Sequence, residues 1–269
     1  VLLPLNFDHS FTYESNKKLK IGNLVLVSFK NKEIVGVVWD LNPRPLKKNI
    51  KIKNVIQVLD LPNLAKSKIG FIDKMANYNL VNKGMVLNLF LYKKGFSSFN
   101  KGLKKVTDFT EFNPKIDNDK KLNDEQNNVL KCIEDKVSFN HYSTSLLQGI
   151  PGSGKTHVYF EIIKKALKEG RQVLVLLPEK GLSEQIAKRF KNFFNCEPAI
   201  WHSGIKDKIK KKIWKGVISN KIKLILGARS ALFLPFQKLK LIIIDEEHDS
   251  SYKQDELSLI HISEPTRLG

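Results

Sequence analysis

The chain has 269 residues, 42% of them hydrophobic, which is enough for two compact domains with separate cores. Its formal net charge of +19 departs from the near-balance of an ordinary metabolic enzyme and suits a polyanionic partner such as nucleic acid. Its two cysteines, Cys132 and Cys196, form no C-x-x-C pair, and no apolar run approaches membrane-spanning length, so a disulfide scaffold, a zinc cluster and a transmembrane protein are all disfavoured.

In chain order, Val1-Leu2-Leu3-Pro4 has neither the basic start nor the long apolar region of a signal peptide, and the missing initiator Met suggests a cut start. The expectation is a soluble, cytoplasmic protein without a membrane partner. Leu24–Val27 and Ile34–Trp39 are β-branched runs separated by the polar turn Lys30-Asn31-Lys32-Glu33, and Val55–Leu59 reads as a third strand. From Leu64 to Leu80 the spacing becomes helical, with Ile69, Ile72, Ala76 and Leu80 on one face. Phe90–Phe99 closes this β-rich domain, assigned to residues 1–100. Residues 101–121 are poor in apolar side chains and read as a linker.

The second domain is assigned to residues 122–256. Its apolar runs, Leu146-Leu147, Val173–Leu177, Leu224–Leu226 and Leu241–Ile244, have the continuous apolar character of strands covered on both faces. Helical patterns at 155–169, 182–194 and 206–219 lie between them. This alternation specifies an α/β fold with a parallel sheet flanked by helices, whose ligands sit at the carboxyl ends of the strands.

Two motifs fall at such ends. The first is Gly149-Ile150-Pro151-Gly152-Ser153-Gly154-Lys155-Thr156, a G-x-x-x-x-G-K-T phosphate loop. Its glycines (Gly149, Gly152 and Gly154), with Ser153, let backbone N–H groups turn inward around a phosphate chain. Lys155 reaches the β/γ oxygens, and the Thr156 hydroxyl can ligate Mg²⁺. The second is the apolar strand ending in Asp245-Glu246-Glu247-His248. Asp245 suits Mg²⁺, and Glu246 suits the orientation and deprotonation of an attacking water. A phosphate loop alone admits a kinase, GTPase, transporter ATPase or helicase. The pair of motifs points to ATP–Mg²⁺ binding by one lobe of a motor-type ATPase. The charge is equivocal by itself: only five of the 46 basic residues are arginine, a lysine bias that an AT-rich genome also produces.

The match becomes specific over several runs: Gly149–Tyr159, Leu177-Pro178-Glu179-Lys180-Gly181-Leu182-Ser183-Glu184-Gln185, His202-Ser203-Gly204, Gly227-Ala228-Arg229-Ser230-Ala231-Leu232-Phe233 and Asp245–Gln254. Together they resemble the primosomal replication-restart helicase (PriA) family, from about residue 3 to 256. That resemblance implies a RecA-like superfamily 2 helicase lobe preceded by a small DNA-binding domain. It implies ATP-driven 3′ to 5′ unwinding of arrested forks, with forked and single-stranded DNA, the primosome and single-strand-binding proteins as partners. It also implies a zinc site in the parent protein, whose ligands do not occur in this sequence.

The same resemblance makes Gln126 an adenine-reading residue, although Asn123 and Gln126 equally describe an ordinary helix start. It places Pro178, Glu179, Ser183, Gly227, Arg229 and Ser230 on the DNA backbone; Arg229 has a structural ion pair as its alternative. Phe11, Tyr13 and Lys53 fall in the domain that captures a DNA 3′ end, where the two aromatics can stack on a base or belong to the core. The sequence departs from the family at Thr12, where many members have an acid, and at Pro151, where the family has Thr. The family's winged-helix segment is replaced by the linker, and residues 257–269 match nothing in it and read as an artefactual tail. The reading is an N-terminal helicase fragment. Its alternative is a non-enzymatic DNA- and ATP-binding fragment, since the family's hydrolysis uses arginines from a second lobe. An unrelated P-loop enzyme such as a kinase is disfavoured by the acidic and Gly-x-Arg-Ser runs.

Overall fold

The computed structural model describes residues 1–41, 52–91, 122–138, 142–150, 152–178 and 181–252. The linker expectation at 101–121, the tail at 257–269 and the candidate residue Glu179 lie outside them. The chain forms two compact units. One comprises Val1–Glu111, Ile205–Ile222 and Phe233–Gln237; the other comprises Phe112–Gly204, Lys223–Leu232 and Lys238–Gly269. The sequence division near residue 122 therefore does not follow packing throughout, because the helix at 207–218 groups with the first unit.

The first unit holds strands β1 (Tyr13–Glu14), β2 (Leu24–Phe29), β3 (Lys32–Val37) and β4 (Lys53–Val58) in the order β1-β4-β2-β3. β2 is antiparallel to both neighbours, and β1 runs parallel to β4. Phe29 pairs with Lys32, so the β2–β3 connection is only Lys30-Asn31, shorter than the four-residue turn expected. Both residues have positive φ, 45° and 62°, as the right-handed strand twist demands of a two-residue hairpin. Leu24, Val25 and Val27 of β2 are fully buried, and Val25 and Val27 pack with Leu3 and Val38.

Helices α1 (Lys66–Tyr78) and α2 (Lys83–Phe90) follow. Ile72 and Ala76 of α1 are buried as expected, whereas Leu80 is 93% exposed. Leu80 lies beyond the helix with φ of 53°, and Val81 N donates to Ala76 O at 3.0 Å. These are the marks of a left-handed helix stop, with leucine in the usual glycine position. The sequence reading contained no helix at 83–90. Its Gly84 is fitted against the Leu3–Phe7 backbone, where any Cβ would meet the Leu5 carbonyl.

The second unit holds α3 (Asp124–Ser138), α4 (Lys155–Lys168), α5 (Glu184–Phe194) and strands β5 (Gln172–Leu176), β6 (Ala199–Trp201), β7 (Leu224–Gly227) and β8 (Leu239–Ile244). The helix α6 (Asp207–Ile218) belongs to the first unit. The strands form a parallel sheet in the order β6-β7-β5-β8. β5 is buried along its whole length, and its core joins α4 and α5 through Phe160, Phe190 and Phe194, with ring centroids 4.7–5.9 Å apart.

The expected strand at Leu146-Leu147 is not formed: residues 142–150 have no regular structure, and Leu146 is 78% exposed. Two apolar residues specify a strand only where a neighbour offers its backbone, and among the described residues none pairs with this segment. β8 lies at the edge of the sheet, with Ile242 and Ile244 about half exposed.

Candidate nucleotide and DNA site

Parallel register sets the geometry. Leu176 of β5 lies level with Gly227 of β7 and Ile244 of β8, and Gly227 lies level with Trp201 of β6. The residues that follow, Pro178, Arg229, Asp245 and His202, therefore leave the sheet at one carboxyl edge, where an open α/β sheet holds its ligand.

The phosphate loop leads directly into α4. Gly152 and Gly154 have φ of 84° and 81°, in the region that only glycine adopts without strain, and Gly154 caps α4. The Lys155 ammonium is not free: it donates to Gly149 O at 2.6 Å and to Ile150 O at 3.0 Å. Gln126 is also engaged. Its Oε1 accepts from Asn123 N at 3.2 Å, Asn123 Oδ1 accepts from Gln126 N at 2.8 Å, and Gln126 Nε2 donates to Ser153 O at 3.0 Å. This reciprocal cap is the ordinary helix start that the sequence left open, and it also ties α3 to the phosphate loop.

Asp245 continues the β5–β8 ladder, with its N–H donating to Leu176 O at 3.0 Å. Its Oδ1 accepts from Glu246 N at 3.1 Å and its Oδ2 from the Tyr159 hydroxyl at 3.0 Å. The Thr156 side chain lies near the same Tyr159 hydroxyl. The structure thus bonds Asp245 to a residue one turn along α4 from Thr156. Tyr252 donates to the Asp245 carbonyl at 3.0 Å. Burial first, and the Asp245 charge second, push both tyrosines above their ordinary pKa. Glu246 is exposed and has φ of 52°, a left-handed turn that swings it out of the strand line. The sequence marks Tyr252 only as the start of the family's aromatic-rich loop, and gives Tyr159 no role. The available signal for Tyr159 is its position three residues after Thr156, on the same helical face.

The candidate DNA contacts differ among themselves. Pro178 and Gly227 are buried, so any contact of theirs with DNA would come from the neighbouring backbone of their segments. Gly227 O accepts from Leu177 N at 3.0 Å, and a Cβ at this position would strike Ala231. Ser183 is exposed and caps α5 by accepting from Ile186 N at 3.4 Å; Arg229 and Ser230 are exposed at the start of a 3₁₀ turn. In the first unit, parallel pairing sets Tyr13 opposite the exposed Lys53. Phe11 is half-buried among Phe7, His9 and Phe29 at centroid distances of 4.8–5.1 Å, and Tyr13 donates to Ser28 O at 3.2 Å. Phe11 and Tyr13 both pack against the first core, so the core role that the sequence left open is met.

Residues 1–92 match the family model for a 3′ DNA-binding domain, and residues 119–269 match that described as type III restriction enzyme, res subunit. The chain is 38% identical over 258 residues to the replication restart protein PriA of Rickettsia conorii, covering 95% of this chain and 38% of that protein. It is 35% identical over 254 residues to the PriA of Helicobacter pylori strain 26695, covering 94% of this chain and 38% of that protein. With the PriA of Bacillus subtilis it shares 41% identity over 143 residues, 53% of this chain and 18% of that one.

The chain belongs to the PriA family. It spans about 38% of the length of the relatives that it matches along nearly its whole course. Within the PriA frame, the first unit carries the 3′ DNA-binding match and the phosphate loop lies in the restriction-type helicase match. Among the described residues no helix is long and apolar enough to cross a membrane, and no three His, Cys, Asp or Glu side chains cluster to hold a metal ion.

Proposed function

We propose that this chain is the DNA-end-binding domain and first ATPase lobe of a replication-restart DNA helicase that moves 3′ to 5′. The observation that carries the reading is the bond from Tyr159 to Asp245, one turn after Thr156 on the helix that the phosphate loop opens, in a chain with a 3′ DNA-binding match. Hard oxygen donors of this kind fit Mg²⁺, and the glycine-shaped loop above the α4 N-terminus fits a nucleotide phosphate chain. Bound there, Mg²⁺–ATP would supply a phosphoanhydride whose charge the metal neutralises. Thr156 and Asp245 would hold the metal side, Lys155 would leave its loop carbonyls for the phosphate, and Glu246 would orient water and accept its proton. Gln126 would have to exchange its Asn123 and Ser153 partners to read adenine. Ser183, Arg229 and Ser230 offer hydroxyls and a guanidinium to DNA phosphates without reading bases, while Phe11, Tyr13 and Lys53 would receive the strand end.

A second reading is ATP and DNA binding without motor action by the 269-residue stretch taken alone, which spans 38% of its relatives' length. Arginine groups supplied across the site are worth several orders of magnitude in phosphoryl transfer. ATP turnover with and without forked DNA separates the readings, measured on this chain and on a protein of its relatives' full length. The expected result is ATP binding by both and DNA-stimulated hydrolysis by the longer protein alone. Robust stimulated turnover by the 269-residue chain would remove the second reading, and absence of ATP binding would remove both.

A further inference from the structure

We infer that Tyr159 is the positioning residue for the Mg²⁺ site, holding the Asp245 carboxylate at a fixed distance from Thr156; this rests on the nucleotide-binding reading proposed above. The ring and the hydroxyl of Tyr159 have separate explanations. The ring is 7% exposed and belongs to the core of the second unit, its centroid 5.3 Å from that of Phe160 in an edge-on arrangement. Packing of that kind needs no hydroxyl, and a buried hydroxyl costs stability unless it finds partners. Its partner here is the carboxylate expected to face the metal. It donates to Asp245 Oδ2 at 3.0 Å, and the Thr156 side chain lies near the same hydroxyl oxygen.

The arrangement leaves the carboxylate little freedom. Asp245 Oδ1 is held by Glu246 N at 3.1 Å, Oδ2 by Tyr159, and the carbonyl by Tyr252 at 3.0 Å. Its plane is therefore set from both sides while each oxygen keeps a further lone pair. Thr156 and Tyr159 lie three residues apart on α4, so one rigid helix fixes the first metal-side oxygen and the hydroxyl that orients the second. Carboxylate ligands held in this way lose about 10–100-fold in metal affinity when the orienting partner is removed.

The test is Tyr159→Phe in the 269-residue chain, which removes one oxygen and keeps the ring. ADP affinity is titrated in EDTA and over a range of MgCl₂ concentrations. The expected result is a rise of about 10-fold or more in the MgCl₂ midpoint, with ADP affinity in EDTA unchanged. In an Asp245→Asn background the same change should move the midpoint no further. A midpoint within twofold of the unmodified chain, or equal weakening with and without Mg²⁺, would assign the hydroxyl to packing alone and overturn the inference. The unmodified chain supplies a readout that does not depend on the variant's folding. In ¹³C-tyrosine-labelled protein with ADP, MgCl₂ should shift the Tyr159 ζ-carbon resonance, and an unmoved resonance counts against the inference. If the unmodified chain binds no ADP under either condition, the nucleotide reading itself fails.

Discussion

The two sheets separate packing from chemistry to different degrees. In the parallel sheet of the second unit, β5 is buried end to end, and the reactive groups stand beyond the strand ends: Lys155 on the loop into α4, and Asp245 and Glu246 past β8. In the antiparallel sheet of the first unit, Phe11 and Tyr13 are themselves packed against the core. In the second unit the candidate site residues therefore stand apart from the core, Tyr159 excepted, whose ring packs while its hydroxyl meets Asp245. In the first unit the rings proposed to receive DNA are the rings that pack.

The largest test of that contrast is Glu246→Gln in a protein of full PriA length. Loss of a general base lowers turnover by about 10²–10⁴-fold, and because Glu246 is exposed the melting temperature should not move. Phe190→Ala makes the opposite cut. Removing a fully buried ring should cost about 3–5 kcal/mol of stability in a denaturant titration, while the folded fraction binds ADP normally. Lys155→Ala should weaken ATP–Mg²⁺ binding by about 1.5–3 kcal/mol, the worth of a charged hydrogen bond, measured calorimetrically, with little change in melting. Phe11→Ala should lose about 1–3 kcal/mol of binding to a DNA 3′ end and destabilise the first unit in the same preparation. Loss of one without the other would break the comparison.

The sequence made the second unit the more legible of the two. β5, β7, β8, α4 and α5 fall where continuous apolar runs and 3.6-residue spacing place them, because a strand or helix face packed in the core leaves little choice of pattern. Short or context-dependent features were not legible. Leu146-Leu147 carries strand composition but has no partner strand among the described residues, and β6 has only three residues. Leu80 continues the apolar helical stripe and yet turns left-handed, since a helix stop depends on backbone bonds that no side-chain pattern announces. The site shows the same division. The motif glycines, Lys155, Thr156 and Asp245 follow from spacing, whereas the Tyr159 bridge spans 86 positions and appears only when α4 meets β8. The burial of Pro178 and Gly227 was not legible, because their motifs lie at strand ends, where one residue decides between ladder and surface.

The contacts of Lys155 with Gly149 O and Ile150 O change what its deletion can report. The ammonium already has two acceptors in the loop, so a phosphate bound there would displace them and would not meet a bare charge. Affinity then records an exchange reaction, in which the gain at the phosphate is reduced by the bonds surrendered in the loop. Alanine erases both sides of that exchange at once. The loss measured on substitution is accordingly smaller than the strength of the lysine–phosphate contact, and the two differ by what the resting loop had held.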